Sequence, residues 1–189
     1  MDDNKKFLVE DFAQIAGKTA ETDGVNYKYN YSYEGIANLI KKNVPAYSIE
    51  IEKYFKLILF NYLINNGDAH LKNFSLYQNT KYGDYLLTPA YDLLCTRIHT
   101  PNESDLALEL FVDNYESAEY KFGSKYTLPD FFELGRRIGI KEKRITFIIN
   151  NMILRSSQID DLVGRSFLSG NVKTLYSSFV KERLDRLII

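Results

Sequence analysis

The stretch from Ile51 to Ile64 (IEKYFKLILFNYLI) constrains the fold more than any other part of the chain. Read as a helix, it shows Glu52, Lys53 and Lys56 to solvent in its first turns, while Leu57 to Phe60 and Tyr62 to Ile64 are apolar nearly all round. A helix with no polar face has to be enclosed by other elements, so its second half is expected to run through the core. Asn66-Gly67 follows, and because either residue accepts left-handed backbone, the pair reads as a helix stop. Asp68 would then stand just past a fixed end.

The residues after that stop carry chemistry. In Asn66-Gly67-Asp68-Ala69-His70-Leu71-Lys72-Asn73, Asp68 and Asn73 have the D-x-x-x-x-N spacing. Phosphotransferase loops use that spacing to place an aspartate at a substrate hydroxyl and an asparagine oxygen on magnesium. Taken alone, the spacing also describes an Asx-rich loop entering a hairpin. Phe74 to Asn79 and Tyr85 to Thr88 are rich in β-forming residues, with turn residues at Lys81-Tyr82-Gly83-Asp84 between them, so an antiparallel hairpin is predicted. Centred near Lys81 and Tyr82, it sets Phe74 opposite Pro89 and returns Asp92 to the neighbourhood of Asn73. Magnesium takes oxygen ligands, usually one or two carboxylates plus substrate phosphates, which suits Asn73 and Asp92 awaiting a nucleotide such as ATP.

NGDAHLKNFSLY followed by LTPAYDLL closely resembles the catalytic loop and metal-binding segment of HipA-type kinases, the toxin components of bacterial toxin–antitoxin pairs. Val9-Glu10-Asp11-Phe12-Ala13-Gln14 and the Lys28-Tyr29 stretch before Gly35-Ile36-Ala37 resemble that family's approach to the same loop, and the likeness runs from about residue 7 to 165. The resemblance implies a protein-kinase-like C-lobe, with Asp68 as the catalytic aspartate and Asn73 and Asp92 as ligands of magnesium and its ATP. His70 and Lys72 match the motif and are carried with the catalytic group. The family also implies a protein hydroxyl as acceptor, with an aminoacyl-tRNA synthetase as the example, and a DNA-binding antitoxin as partner. Small-molecule and lipid kinases share an Asp-x-His-x-x-Asn loop, but the PAYDL and EDFAQ stretches weigh against them. A binding module that keeps the fold without catalysis is the reading from another class.

A complete kinase of this type has an N-lobe with a phosphate-covering loop and a lysine for the α- and β-phosphates. No G-x-G-x-x-G or G-x-x-x-x-G-K-[ST] occurs in these 189 residues, and nothing before residue 50 is β-rich enough for such a lobe. The expectation is therefore a catalytic half, inactive by itself: either its N-lobe is a separate polypeptide, or these residues are a fragment or a truncated paralogue.

The rest of the chain reads as scaffold in one mainly helical domain with a small β-hairpin, spanning residues 1–189. Phe7 to Gly17 reads as a short amphipathic helix, Lys18 to Ser32 as a loop, and Tyr33 to Lys42 as a helix. Leu106 to Val112 is apolar enough for a strand or a packed segment. Thr127-Leu128-Pro129-Asp130 forms a capping box opening a helix from Pro129 to Ile138 that Gly139 stops. Lys141 to Gln158 and Val172 to Leu187 have helical periodicity, separated by Asp160-Asp161 and the Gly164 to Gly170 segment.

The composition excludes several classes. Cys95 is the only cysteine, so no internal disulfide forms, and among Leu93, Leu94 and Thr96 it reads as a small buried hydrophobe. His99 has no ligand partner at metal spacing and reads as an ordinary side chain. The first residues lack a leader's pattern and no apolar run reaches a membrane span, which points to the cytoplasm. A net charge of −1 argues against wholesale polyanion binding. From residue 136 onward, however, 11 Lys/Arg stand against 5 Asp/Glu. Arg136, Arg137, Lys141, Lys143, Arg144, Lys181, Arg183 and Arg186 are among them, and a solvated helix face is expected for them.

Overall fold

A computed structural model describes residues 6–188; the opening residues 1–5, where no leader is expected, and residue 189 lie outside the described part. The architecture is mainly helical around a small antiparallel sheet. In chain order the elements are β1 (Val9–Asp11), α1 (Phe12–Ile15), α2 (Ala20–Asp23), α3 (Tyr33–Asn43), α4 (Tyr47–Leu63), β2 (Ser75–Gln78) and β3 (Tyr85–Leu87). They are followed by α5 (Ala118–Gly123), α6 (Leu128–Arg137), α7 (Glu142–Leu154), α8 (Ser157–Arg165) and α9 (Gly170–Asp185). Short 3-10 turns occupy Tyr27–Tyr29, Leu71–Asn73 and Thr96–Ile98.

Helix α4 is the axis. Ile51, Tyr54, Phe55, Ile58, Leu59, Tyr62 and Leu63 are all buried, and each such side chain removed from water contributes about 1.5–3 kcal/mol before entropy is set against it. Around them pack Ile36 and Ile40 of α3, Phe131 and Leu134 of α6, Ile145 and Ile148 of α7, and Phe12, Leu71 and Phe74, in one continuous cluster. A smaller cluster, Ile64, Ile159, Val163 and Val180, seats α8 and α9 against the end of α4. The predicted helix from Ile51 is thus longer at its start and reaches back to Tyr47.

The sheet runs β1-β2-β3. Leu76 pairs with Leu87 and Gln78 with Tyr85, and Thr88 N–H bonds Ser75 O at 3.0 Å, which is the register that sets Phe74 opposite Pro89 as expected. The helix expected over residues 7–17 is instead β1 followed by α1. Asp11 caps α1 by accepting from Gln14 N–H at 2.9 Å, which ends any helix before it and frees Val9 and Glu10 to pair with Tyr77 and Leu76. Residues 18–32 are not all loop: they hold α2, capped by Thr19, and the Tyr27–Tyr29 turn.

Further along, Leu106 to Val112 is an irregular segment that buries Leu106, Leu108, Leu110 and Phe111 and makes a single bridge from Glu109 to Ser32. The capping box at Thr127 and the stop at Gly139, whose φ is 88°, are as expected. The helix expected to Gln158 breaks at Arg155 and Ser156, and Asp160, Asp161 and Gly164 lie inside α8 rather than between helices. Of the basic C-terminal residues, Arg136, Lys141, Lys143 and Lys181 are exposed as expected, but the other arginines are not part of a solvated face. Arg183 is 2% exposed and pairs with Asp105, Arg186 joins the same carboxylate at 2.8 Å, Arg137 pairs with Asp113 and Glu133, and Arg144 with Glu52. Apart from Glu133, these partners are distant in sequence, and a window along the chain cannot reveal them. No helix among the described residues is long and apolar enough to cross a membrane.

Candidate active site

The chain leaves α4 through Asn65, whose φ of 58° makes it the left-handed residue of the stop; the expected pair, Asn66-Gly67, lies one position further on. Asn65 is a junction. Its carbonyl accepts from Thr96 N–H at 3.1 Å, and its side-chain oxygen accepts from Arg97 and from buried Arg183, each at 3.1 Å. Asn66 donates to Asn61 Oδ1 at 2.8 Å and to the Asp92 carbonyl at 3.0 Å, binding the loop both to α4 and to the second candidate carboxylate. Gly67 donates its N–H to Thr96 Oγ1 at 2.8 Å, and a Cβ on it would stand 2.5 Å from the Glu103 carboxyl carbon. The absence of a side chain is what admits Glu103 to the loop.

Asp68 follows, with its side chain 47% exposed. Its N–H bonds Asn66 Oδ1 at 3.2 Å, and its carboxylate oxygen accepts from the Tyr29 hydroxyl at 2.5 Å and lies 3.9 Å from His70 Nε2. The Tyr29 phenol is pushed up to about 12 by burial and then by the hydrogen bond to Asp68. His70 is buried, its ring meets Tyr29 edge-on at 5.1 Å, and its Nδ1 has no hydrogen-bond partner. Burial, with Lys28 nearby, lowers its pKa and keeps the imidazole neutral. Tyr33 anchors the loop from beneath through its hydroxyl on Ala69 O at 2.9 Å.

Asn73, 8% exposed, accepts from His70 N–H at 3.0 Å through Oδ1 and donates from Nδ2 to an Asp92 carboxylate oxygen. An amide oxygen has a second lone pair, so the bond to His70 leaves Asn73 able to face a cation. Asp92 is exposed and left-handed, with φ 55°. Tyr91 beside it bonds Lys72 O at 2.7 Å and Ser75 Oγ at 2.6 Å, which pins the returning chain to the hairpin's open end.

Of the five residues singled out from sequence, Asp68, His70, Asn73 and Asp92 are therefore brought together. Lys72 points elsewhere: its ammonium pairs with Asp11 at 2.7 Å, a bond that raises its pKa and ties the loop to the cap of α1. Cys95 is half-buried, and burial raises its thiol, as suits a packing residue. The supporting residues Asn61, Thr96, Glu103 and Tyr29 carry no local signal. Only Lys28-Tyr29 stood in a stretch that the family resemblance marked.

Comparison with known proteins gives the family. The model of the HipA-like C-terminal domain matches residues 1–158, and the chain belongs to that family. Two curated relatives are named as inferred kinases. The one from Haemophilus influenzae is 28% identical over 154 residues, covering 77% of this chain and 44% of its own length. Y4dM of Sinorhizobium fredii is 33% identical over 101 residues, covering 53% and 23%. The chain thus spans less than half the length of the curated relatives it matches.

Among solved structures, HipA of Shewanella oneidensis, in a complex with HipB and operator DNA, aligns at a TM-score of 0.65 and 17% identity. That alignment covers 96% of this chain and 43% of HipA. The Helicobacter pylori proinflammatory kinase CtkA aligns at 0.59 and 13% identity, covering 99% and 67%. The fold is that of a HipA-type C-terminal domain.

Proposed function

We propose that residues 1–189 form one domain, the catalytic half of a HipA-like serine/threonine protein kinase that transfers the γ-phosphoryl group of ATP to a protein hydroxyl. The observation that carries this reading is the meeting of Asn73 with Asp92 at the open end of the hairpin, beside a half-exposed Asp68 on a buried base. The single large core, running from Phe12 to Leu187, supports the one-domain reading.

The donor set fits a hard divalent ion. Asp92 presents its carboxylate at an open edge, Asn73 lies against it with an Oδ1 lone pair left beside the His70 N–H bond, and among the described residues no three His, Cys, Asp or Glu gather into a cage, so phosphate oxygens would complete the shell. Magnesium–ATP held there would supply the phosphoryl group, with the metal offsetting its charge. Asp68 orients the acceptor hydroxyl and takes its proton at the carboxylate oxygen now held by Tyr29, so the Tyr29 hydroxyl yields to the acceptor. Buried His70 packs beside Asp68, and Lys72 keeps the loop on α1. The phosphate-covering loop and lysine would come from an N-lobe outside these residues, docking on Phe7 and Leu8, exposed beside the hairpin, and on Leu93 and Leu94, exposed after Asp92. An antitoxin partner is proposed after the HipA–HipB neighbour and an aminoacyl-tRNA synthetase acceptor after the resemblance, and a cytoplasmic setting suits both.

A non-catalytic module is the second reading, favoured by the Tyr29 hydroxyl on Asp68 and the use of Asn73 Oδ1 by His70. Calorimetric titration with magnesium–ATP, with and without the N-lobe, decides between them. Asp92→Ala should weaken binding at least about tenfold, whereas Asp68→Asn should keep binding and lower transfer by about two to four orders of magnitude. Binding indifferent to Asp92 and transfer indifferent to Asp68 would establish the module instead.

A further inference from the structure

One well-formed cavity is not at Asp68. It is a groove of about 750 Å³ between the second half of α4 and helices α7, α8 and α9, walled by Phe60, Ile64, Ile148, Met152, Ile159 and Val163. Its volume falls within the ~300–1,000 Å³ of ligand clefts, but its rim is apolar and wet: Phe147 is 54% exposed and Leu162 61%, and Phe167 beside it is fully exposed. A bulky apolar rim spread over α7, α8 and the segment that follows α8 is more than one enclosed small molecule would cover, and it marks a surface for a macromolecule.

Charge narrows the occupant. Lys56 and Arg155 line the groove and no carboxylate does. Arg137, Arg144, Arg183 and Arg186 are all in ion pairs, whereas neither Lys56 nor Arg155 has a carboxylate within ion-pair distance among the described residues. Glu52, one turn from Lys56, is already held in a two-pronged bond by Arg144 at 2.8–3.0 Å. A second copy seated across a two-fold axis would bring these cations against themselves.

Backbone chemistry narrows it again. The walls are helices, with no strand edge to pair with, so a docked segment must satisfy its own N–H and C=O groups. That condition selects a helix. We infer that the α4/α7/α8/α9 groove docks an amphipathic helix of another polypeptide, with large apolar residues at i, i+3 or i+4 and i+7, and flanking Asp or Glu facing Lys56 and Arg155. Leu93, next to Asp92, also lines the groove, so the docked helix would touch the segment carrying the candidate metal carboxylate.

The test uses the 189-residue chain and three fluorescein-labelled 16-residue peptides: a hydrocarbon-stapled helix with Leu and Phe on one face and Glu on the other, its Glu-to-Lys counterpart, and a scrambled unstapled control. Saturable anisotropy is expected for the acidic helix alone, with affinity falling as salt rises. Leu162→Glu should weaken binding at least about tenfold and Arg155→Glu about three- to tenfold, with circular dichroism and melting temperature unchanged. The inference is overturned if the lysine or scrambled peptide binds as well, if none binds, if dodecanoate binds and the helix does not compete, or if sedimentation shows a dimer that Leu162→Glu dissolves. None of these outcomes depends on Asp68 or on phosphoryl transfer, so this inference and the kinase reading fail separately.

Discussion

The two candidate carboxylates stand on unlike footings. Asp68 projects from a loop in which Asn65, Asn66, Ala69, His70, Leu71 and Asn73 are all buried, and Thr96, Glu103, Arg97 and Arg183 reach in from distant segments to hold it. Asp92 projects from Pro89 to Leu94, all exposed, and is held by Asn66, Asn73 and the Tyr91 hydroxyl. The difference matches the work proposed for each. Orienting a hydroxyl demands a fixed carboxylate, because small displacements of a reacting group are costly. Binding a metal–nucleotide asks for a carboxylate that can adjust to a ligand arriving with its own phosphates.

The comparison can be broken hardest at the base of the first loop. Asp105→Ala removes the counter-charge of Arg183, leaves a buried guanidinium without its carboxylate, and should lower stability by about 3–5 kcal/mol in urea denaturation. Next comes Asn65→Ala, which puts a side chain without an acceptor at φ 58° and should cost about 2–4 kcal/mol; Asn65→Gly should recover about 1 kcal/mol of it by relieving the backbone. Equal losses for Ala and Gly would show that the left-handed turn carries no strain.

On the other footing, Asp92→Ala removes one hydrogen bond at an exposed position and should shift stability by only about 1 kcal/mol while nucleotide binding falls. A loss as large as that of Asp105→Ala would mean that the two segments are equally structural. The smallest effect is expected for Tyr29→Phe, under about 1 kcal/mol at neutral pH. Its signature is in alkali. Below pH 10 the phenol is protonated in both states, but between 10 and about 12 the unfolded chain releases the proton and the folded one does not, so stability falls as pH rises. Denaturation midpoints of wild type and variant should therefore converge from pH 9 to 12.

Sequence revealed the parts of this arrangement that depend on neighbours along the chain. The apolar run of α4, the turn residues between β2 and β3 and the capping box at Thr127 are local patterns, and the hairpin register followed from them closely enough to bring Asp92 to Asn73. The rest depends on pairs far apart in number. Thr96 and Glu103 at Gly67, Arg183 at Asn65 and Tyr29 at Asp68 are single polar contacts chosen by the finished fold, and no periodicity marks them. Strand β1 escaped for another reason: three residues are too few to show alternation, and the apolar residues around it also fit a helix.

The hairpin has a further consequence, for where the chain can change length. Its tip, Thr80 to Asp84, is exposed and closed by Asn79 N–H on Asp84 O at 2.8 Å, with Gly83 at φ 75°. Every rung that faces Asn73 toward Asp92 lies below that closure. Residues inserted at the tip enlarge a solvent loop, where even a doubling costs only about 0.6 kcal/mol, and they leave the ladder as it is. One residue removed between Thr88 and Tyr91 lies beyond the ladder and would swing Asp92 away from Asn73. An epitope or fluorophore can thus be carried at the tip, a few strand residues from the candidate site, without changing what the site holds.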